Sequence, residues 1–233
     1  GENLCRVAVV QTETGNAAGQ GGYGAVMGAK NLKAVAVRGT GGVRLADPQR
    51  FMDLCLHASR EGQRPDSLGI DAVPGEHYRV RKCGFCMTPC VHRIYMDLPS
   101  GTDAGTHTVA RQCWGYMKVP PEVEAQARSI TSDYGLNGWE ISYGIIPWLQ
   151  LCKQHGLIEQ IDGLDIPVPS NPLLYLRDTA PCSAEFLTSL VHKMARREGE
   201  LGDALADGAC YAADILFDGR GRELLDHIYP RHC

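Results

Sequence analysis

Three cysteines lie close together in residues 83–90, which read CGFCMTPC. A loop this short turns its sulfurs toward one point, so the C-x2-C-x3-C spacing predicts a metal centre. Zn²⁺ in a closed site takes four ligands, and His92 stands two residues further on. A [4Fe-4S] cluster also takes four thiolates. The spacing favours iron–sulfur over zinc but leaves the fourth ligand open, with Cys210 and Cys233 as candidates by elimination. The three sulfurs of the motif belong to Cys83, Cys86 and Cys90.

A second pattern is the glycine-rich loop Gly19–Gly24, GQGGYG, which contains a GxGxxG. A dinucleotide fold needs this motif after a strand and before a full crossover helix. Only residues 25–33 precede the next predicted strand, too few for that helix. Two interpretations remain: a loop whose bare amides approach a phosphate closely, or a tight turn without a ligand.

A third segment, residues 105–114, holds His107 and Cys113. A single histidine is more often a packed or surface residue than a catalyst, and a single cysteine more often packs than ligates. Their position just after the cysteine motif modestly favours a role in the same site.

Composition limits the class of protein. The chain has 233 residues, a formal net charge of -4 and a pI near 6.1. Proteins that bind nucleic acid or membrane surfaces usually carry a basic excess, and no apolar run approaches the roughly 20 residues of a membrane span. Residues 1–10 show no leader pattern, and the cysteines do not suggest a small disulfide scaffold. We therefore expect a cytoplasmic protein without a nucleic-acid partner or a membrane span.

Local patterns predict a short β-rich stretch followed mostly by helices. Buried strands are expected at 6–10 and 34–37, and Asp47 with Pro48 marks the start of a helix that runs to Gly62. The later elements are a helix after Pro120-Pro121, a helix over residues 141–156 kinked at Pro147, an extended connection over residues 159–181, a helix from Ser183 to Gly199 and a helix over residues 201–215.

These elements predict an α+β chain that is predominantly α-helical. Residues 1–45 would be the C-terminal end of a β-containing domain. Residues 46–233 would form a helical domain that carries the clustered cysteines.

Five segments, taken in order, resemble the tungsten-dependent aldehyde ferredoxin oxidoreductase family. They are GENL at 1–4, AAGQGGYGAVMGAKNLKA at 17–34, the cysteine motif, SDYGLN at 132–137 and RREGELGDALADG at 196–208. Members of that family are much longer than this chain. The resemblance therefore implies that parts of the N-terminal pterin-binding domain and of the C-terminal region, with the fourth cluster cysteine, lie outside it.

The resemblance also implies the cofactors. Cys83, Cys86 and Cys90 would hold a [4Fe-4S] cluster beside a tungsten or molybdenum bis-pterin, with Mg²⁺ as a possible bridge between the pterin phosphates. Electrons would pass to or from ferredoxin or an iron–sulfur subunit, in an anaerobic cell. The implied pterin contacts are Ala18, Gly19, Gln20, Gly21, Gly22, Ser132, Asp133, Gly135, Leu136 and Asn137.

Several residues depart from the family pattern. Gln20 replaces an arginine, Ser132 and Asn137 replace acidic residues, and His107 falls where the family has its catalytic glutamate. Cys113 stands where aldehyde-oxidising members have a small residue. These departures resemble the active-site subunit of class II benzoyl-CoA reductases, which implies His107 as a proton donor and Cys113 as a tungsten ligand.

Three functions remain open from the sequence. The first is low-potential reduction of an aromatic acyl-CoA, and the second is ferredoxin-dependent oxidation of an aldehyde. The third is a zinc-stabilised helical binding module built on the cysteine motif and His92.

Overall fold

The computed structural model of the chain describes residues 1–12, 17–61, 78–80, 94–97, 103–104, 121–168 and 182–228. Helices dominate these residues and the strands are short and antiparallel, which confirms the predicted class. The α-helices are α1 Tyr23–Ala29, α2 Pro48–Glu61, α3 Pro121–Asp133, α4 Ile146–Gln154, α5 Ala184–Arg196, α6 Gly199–Ala206 and α7 Ala209–Ile215. A π-helical segment, Glu140–Ile145, precedes α4, and 3₁₀ turns lie at Leu216–Gly219 and Glu223–His227.

The strands form three small sheets. They are β1 Val10–Gln11, β2 Ala17–Ala18, β3 Tyr78–Val80, β4 Ile94–Asp97, β5 Asp103–Ala104, β6 Gln160–Ile161 and β7 Leu164–Asp165. β1 pairs with β2, β4 lies between β3 and β5, and β6 pairs with β7. Among the described residues, no helix has the length and apolarity needed to cross a membrane.

The chain divides into two compact units. One comprises Gly1–Lys33 with Ala110–Cys233, and the other comprises Ala34–Val109. The sequence predicts a different boundary, after residue 45, between a pterin-binding domain and a helical domain. That boundary stays a prediction.

A buried helix forms the centre of the first unit. The π-helical segment and α4 bury every residue from 140 to 152. Trp148 in α4 is fully buried, and its Nε1 donates to the carbonyl oxygen of Gly221 at 2.9 Å. The apolar face predicted for α5 also packs into this core, because Phe186, Leu187, Leu190, Val191 and Met194 are all buried. Burial of these two faces holds the unit together.

The kink expected at Pro147 takes another form. The amide of Ile146 donates to the carbonyl of Ile141, five residues back, in a widened π-helical turn. Proline has no N–H to donate and its ring crowds the preceding turn. The wider turn accommodates that ring, so the helical path continues through Pro147.

The strand predictions are largely wrong. At residues 6–10 the described structure has an isolated bridge from Ala8 to Leu136 and the start of β1 at Val10. Residues 34–37 form no strand, and Val35 and Val37 are 72% and 89% exposed. β-branched residues favour a strand only when another strand pairs with them, and no described segment pairs with residues 34–37.

The helix starts were predicted better than the helix ends. Asp47 caps α2 by accepting from the amide of Arg50 at 2.9 Å, and Ser183 caps α5 by accepting from the amide of Phe186 at 3.1 Å. The expected end of α5 at Gly199 is wrong, since the helix stops at Arg196 with Arg197 in the left-handed conformation. The single helix expected over residues 201–215 is two helices, because the chain turns at Gly208 with φ 97°.

Candidate cofactor-binding site

The glycine-rich loop turns directly into α1. Gly21 and Gly22 have φ values of 88° and 65°, a backbone conformation that favours glycine. α1 then runs for only 7 residues, which agrees with the prediction that no crossover helix follows this loop. The loop therefore exposes consecutive backbone groups without the architecture of a dinucleotide fold.

The loop and α1 pack closely on the start of the chain. A Cβ on Gly22 would lie 2.7 Å from the carbonyl oxygen of Arg6, and a Cβ on Gly24 would lie 2.7 Å from that of Val9. The amide of Gly24 donates to the carbonyl of Ala8 at 3.2 Å. Glycine is required at both positions because a side chain would occupy the place of backbone atoms.

The segment 132–137 begins in α3 and leaves it through a glycine turn. Gly135 has φ 61°, its amide donates to the carbonyl of Ser132 at 2.9 Å, and the amide of Leu136 donates to that of Thr131 at 2.9 Å. These bonds satisfy carbonyls that the helix end would leave without partners. The turn directs Asn137 away from the axis of α3.

Asn137 begins the next helical stretch. Its Oδ1 accepts from the amides of Trp139 at 3.1 Å and Glu140 at 3.5 Å. An asparagine performs this capping as well as an aspartate does. Asn137 therefore has a local structural role, whatever ligand lies beside it.

Residues 7–9 join the glycine-rich loop to the segment 132–137. On one side, the carbonyl of Ala8 accepts from the amide of Gly24. On the other side, the amide of Val9 donates to the carbonyl of Gly135 at 2.8 Å. The amide of Asn137 donates to the carbonyl of Val7, also at 2.8 Å. Two segments that are far apart in the sequence are thus held against the same short stretch of backbone.

We use the name cradle for residues 18–22 and 132–137 together. A Cβ built on Gly19 would point toward Asn137, with 4.0 Å to its Oδ1. Ala18, Gln20 and Gly21 are exposed. The structure therefore places Gly19 of the one segment beside Asn137 of the other.

The chemistry of the cradle fits a phosphate-bearing ligand in part. Backbone amides in a positive-φ glycine turn are suited to an anion, and the neutral Gln20 adds no charge. Asp133 is the carboxylate of the segment 132–137 and is exposed. The Oδ1 of Asn137 is occupied by the helix cap, so Asp133 is the better candidate acceptor for ring N–H groups.

Tyr134 fastens the cradle to α5. Its hydroxyl lies 2.6 Å from Nδ1 of His192, and the two rings meet edge to face with centroids 5.3 Å apart. This contact fixes the end of α3 against a core helix, immediately before the glycine turn.

The predicted metal ligands and proton donor cannot be placed relative to the cradle. Cys83, Cys86, Cys90, His92, His107 and Cys113 are outside the described residues, so their roles stay predictions. Among the residues that are described, no group of three or more His, Cys, Asp or Glu side chains could hold a metal. Cys210 is disulfide-bonded and Cys233 lies outside the described residues, so the fourth ligand stays a prediction.

Sequence reasoning missed Glu140 and Arg197, which support the cradle. Glu140 is only 6% exposed, and its Oε1 accepts from the amide of Ala209 at 3.1 Å. A carboxylate inside the apolar run WEISYGII was the available signal, since a buried charge needs partners. Arg197 gave no such signal, because its bonds to the carbonyls of Asn3 and Leu4 join residues that are far apart in the sequence.

Comparison with known proteins finds a likeness to one family. Residues 1–39 match the family model described as aldehyde ferredoxin oxidoreductase, N-terminal domain. The chain is 54% identical over 255 residues to a tungsten-containing aldehyde ferredoxin oxidoreductase of Pyrococcus abyssi, covering 92% of this chain and 40% of the relative. The comparisons support the aldehyde ferredoxin oxidoreductase family.

Two further relatives extend this family likeness. A tungsten-containing aldehyde ferredoxin oxidoreductase of Pyrococcus horikoshii is 27% identical over 255 residues, again 92% of this chain and 40% of the relative. An aliphatic sulfonate oxidoreductase, WOR-like subunit, of Pyrococcus furiosus is 61% identical over 41 residues, which are 18% of this chain and 7% of the relative. The chain thus spans 40% of the length of the first two aldehyde ferredoxin oxidoreductases it matches.

Proposed function

We propose that this chain forms part of a tungsten-containing oxidoreductase and that its cradle holds the pterin cofactor. The observation that carries the proposal is the meeting of the glycine-rich loop and the segment 132–137 across residues 7–9. The match of residues 1–39 to the aldehyde ferredoxin oxidoreductase family supports it, since that stretch contains the loop. The zinc-stabilised binding module has no comparable support.

Different residues of the chain would bind different parts of the cofactor. The amides of Gly21 and Gly22 would donate to phosphate oxygens, and Asp133 would accept from pterin N–H groups. Mg²⁺ would accompany the phosphates, and Cys83, Cys86 and Cys90 would provide three thiolates for a [4Fe-4S] cluster. When bound, the tungsten pterin and the cluster supply the two-electron and one-electron chemistry, and the protein orients them. Ferredoxin or an iron–sulfur subunit would exchange the electrons.

For the substrate, we favour reduction of an aromatic acyl-CoA. Adding two electrons to a ring also requires two protons, and His107 is suited to donate one of them near neutral pH. Cys113 would bind tungsten through its thiolate, a soft ligand for a sulfur-rich centre. Both assignments depend on the departures of the sequence from the family pattern.

Aldehyde oxidation is the second candidate, and the names of the relatives favour it. The two reactions run in opposite directions and are separated by one pair of assays. The complete gene product, purified without oxygen, is supplied either with an aromatic acyl-CoA and a low-potential reductant or with an aldehyde and an oxidised viologen dye. Ring reduction predicts turnover in the first assay alone; turnover in the second alone would reverse the assignment.

The cofactor proposal has a test that does not depend on the substrate. In Gly19→Ala the new methyl group enters the cradle and finds its nearest protein atom 4.0 Å away, so stability should hardly change. We expect tungsten and pterin retention to fall at least tenfold. Gly42→Ala is the matched control, because a Cβ there meets nothing within 4 Å among the residues that the structure describes. Equal tungsten content in both variants would place the cofactor somewhere other than the cradle.

A further inference from the structure

Arg197 occupies a conformation that needs compensation. It follows α5 with φ 55° and ψ 44°, the left-handed region, which is unfavourable for an L-residue. Its guanidinium makes five hydrogen bonds. Nε donates to the carbonyl of Asn3 at 2.7 Å, Nη2 to that of Leu4 at 2.9 Å and to Asp207 Oδ1 at 2.6 Å, and Nη1 to the Asp203 carbonyl at 3.1 Å and Oδ1 at 2.8 Å.

The charge on Arg197 is therefore well supported. Partial burial disfavours the charged form, but the hydrogen bonds to Asp207 and then Asp203 outweigh it and raise the pKa of the guanidinium. A planar fork can bind three carbonyls and two carboxylates at once, whereas the ammonium of lysine acts as a compact point charge. The geometry therefore calls for arginine specifically.

Other bonds tie the same stretch to α5. Asn3 Nδ2 donates to the carbonyl of Ala195 at 2.7 Å. The buried thiol of Cys5 lies 3.5 Å from the carbonyl of Met194. These contacts hold residues 3–5 against the end of α5, with Arg197 between them and α6. We use the name clamp for these contacts of residues 3–5 with α5 and Arg197.

The clamp continues directly into the residues that join the cradle. The amide of Val7 donates to the carbonyl of Ala206 at the end of α6 at 3.3 Å. Residues 7–9 then bond to Gly24 on one side and to Gly135 and Asn137 on the other. Loss of the contacts at residues 3–5 should therefore displace both segments of the cradle, residues 18–22 and residues 132–137, through this stretch.

The segment 196–208 is also linked to the segment 132–137 through α7. Gly208 leads into α7, whose first amide, that of Ala209, donates to Glu140 just beyond Asn137. A Cβ on Gly202 would lie 2.6 Å from the carbonyl oxygen of Lys193, so α5 and α6 meet at a glycine. The segment thus connects the start of the chain with the helix that follows Asn137.

We propose that Arg197 is the positioning residue of the cradle: its guanidinium holds the carbonyls of Asn3 and Leu4 and so fixes the separation of residues 18–22 from residues 132–137. The part of this proposal that concerns the cofactor rests on the proposed function. The part that concerns the separation of the walls does not.

The test compares Arg197→Ala and Arg197→Lys with the control Arg222→Ala. Arg222 also forms one short ion pair, 2.6 Å from Asp214, on an exposed side chain. Two quantities are measured on the complete gene product: hydrogen exchange of backbone amides by mass spectrometry, and the tungsten content per chain. The first needs no bound cofactor, so it separates the positioning role from the proposed function.

We expect Arg197→Ala to speed exchange at least tenfold in peptides that contain Val9, Gly24 and Asn137 while α4 exchange stays unchanged. Tungsten content should fall with it, Arg197→Lys should lie between, and Arg222→Ala should match the parent. A uniform acceleration that includes α4 would show a merely stabilising role and overturn the proposal. Unchanged exchange at the cradle would also overturn the proposal. If the alanine variant does not fold, the exchange of Arg197→Lys tests the positioning role instead. A parent protein without tungsten would refute the proposed function and leave the exchange result to decide the positioning role.

Discussion

Replacing Gly24 by alanine would place a methyl group against the backbone that joins the cradle. The new Cβ would lie 2.7 Å from the carbonyl oxygen of Val9 and 2.8 Å from both the carbonyl carbon and the Cβ of Ala8. Neither neighbour can rotate away, because two of the three atoms belong to the main chain. Either α1 or residues 7–9 must move.

The expected cost follows from two opposing effects. Overpacking costs about 1–3 kcal/mol, and the three short contacts at Gly24 favour the upper end of that range. Alanine also gains about 1 kcal/mol over glycine inside a helix. The net loss in the free energy of unfolding should be about 1–2 kcal/mol, which lowers Tm by about 2–8 °C for a domain of this size.

Thermal unfolding followed by circular dichroism measures this loss. Gly42→Ala is again the control, since no described residue lies within 4 Å of its Cβ. A Gly24→Ala protein as stable as that control would refute the close packing of α1 on residues 7–9. A stable variant with undiminished tungsten would also remove the structural basis for the cradle.

Three further outcomes are expected elsewhere in the first unit. Ser183→Ala removes the N-cap of α5 and should cost about 0.5–2 kcal/mol in urea unfolding; no change in the unfolding midpoint would show that the cap is dispensable. Trp148→Phe loses the 2.9 Å bond to Gly221 and leaves a buried carbonyl without it, so we expect a loss of about 1–3 kcal/mol, and an equally stable variant would contradict that bond. Burial raises the pKa of the Cys152 and Cys182 thiols to about 12, so the stability that they contribute is complete below about pH 9 and is lost as pH rises toward 12; a Cys152→Ala/Cys182→Ala variant with the same alkaline profile would refute this linkage.

Local features were predictable from the sequence because their causes lie within a few residues. Asp47 and Ser183 each accept from an amide three residues away, and the apolar face of α5 follows from helical spacing alone. The end of α5 was harder to predict, because Arg197 takes a left-handed conformation through bonds to Asn3 and Leu4.

Features that depend on distant pairing were not predictable. Residues 34–37 have the composition of a strand, but strand formation needs a partner that a single sequence does not specify. The resemblance to a family predicted the residues of the cradle but not their geometry. Residues 7–9 read only as an apolar strand, whereas their backbone groups bond to Gly24, Gly135 and Asn137.

We propose above all that the chain forms part of a tungsten and iron–sulfur oxidoreductase. The most direct measurement is the tungsten, iron and zinc content per chain of the complete gene product purified without oxygen, by plasma mass spectrometry. Our account predicts about one tungsten and four iron atoms per chain, together with the pterin, since each [4Fe-4S] cluster holds four irons. One zinc with neither tungsten nor iron would contradict it.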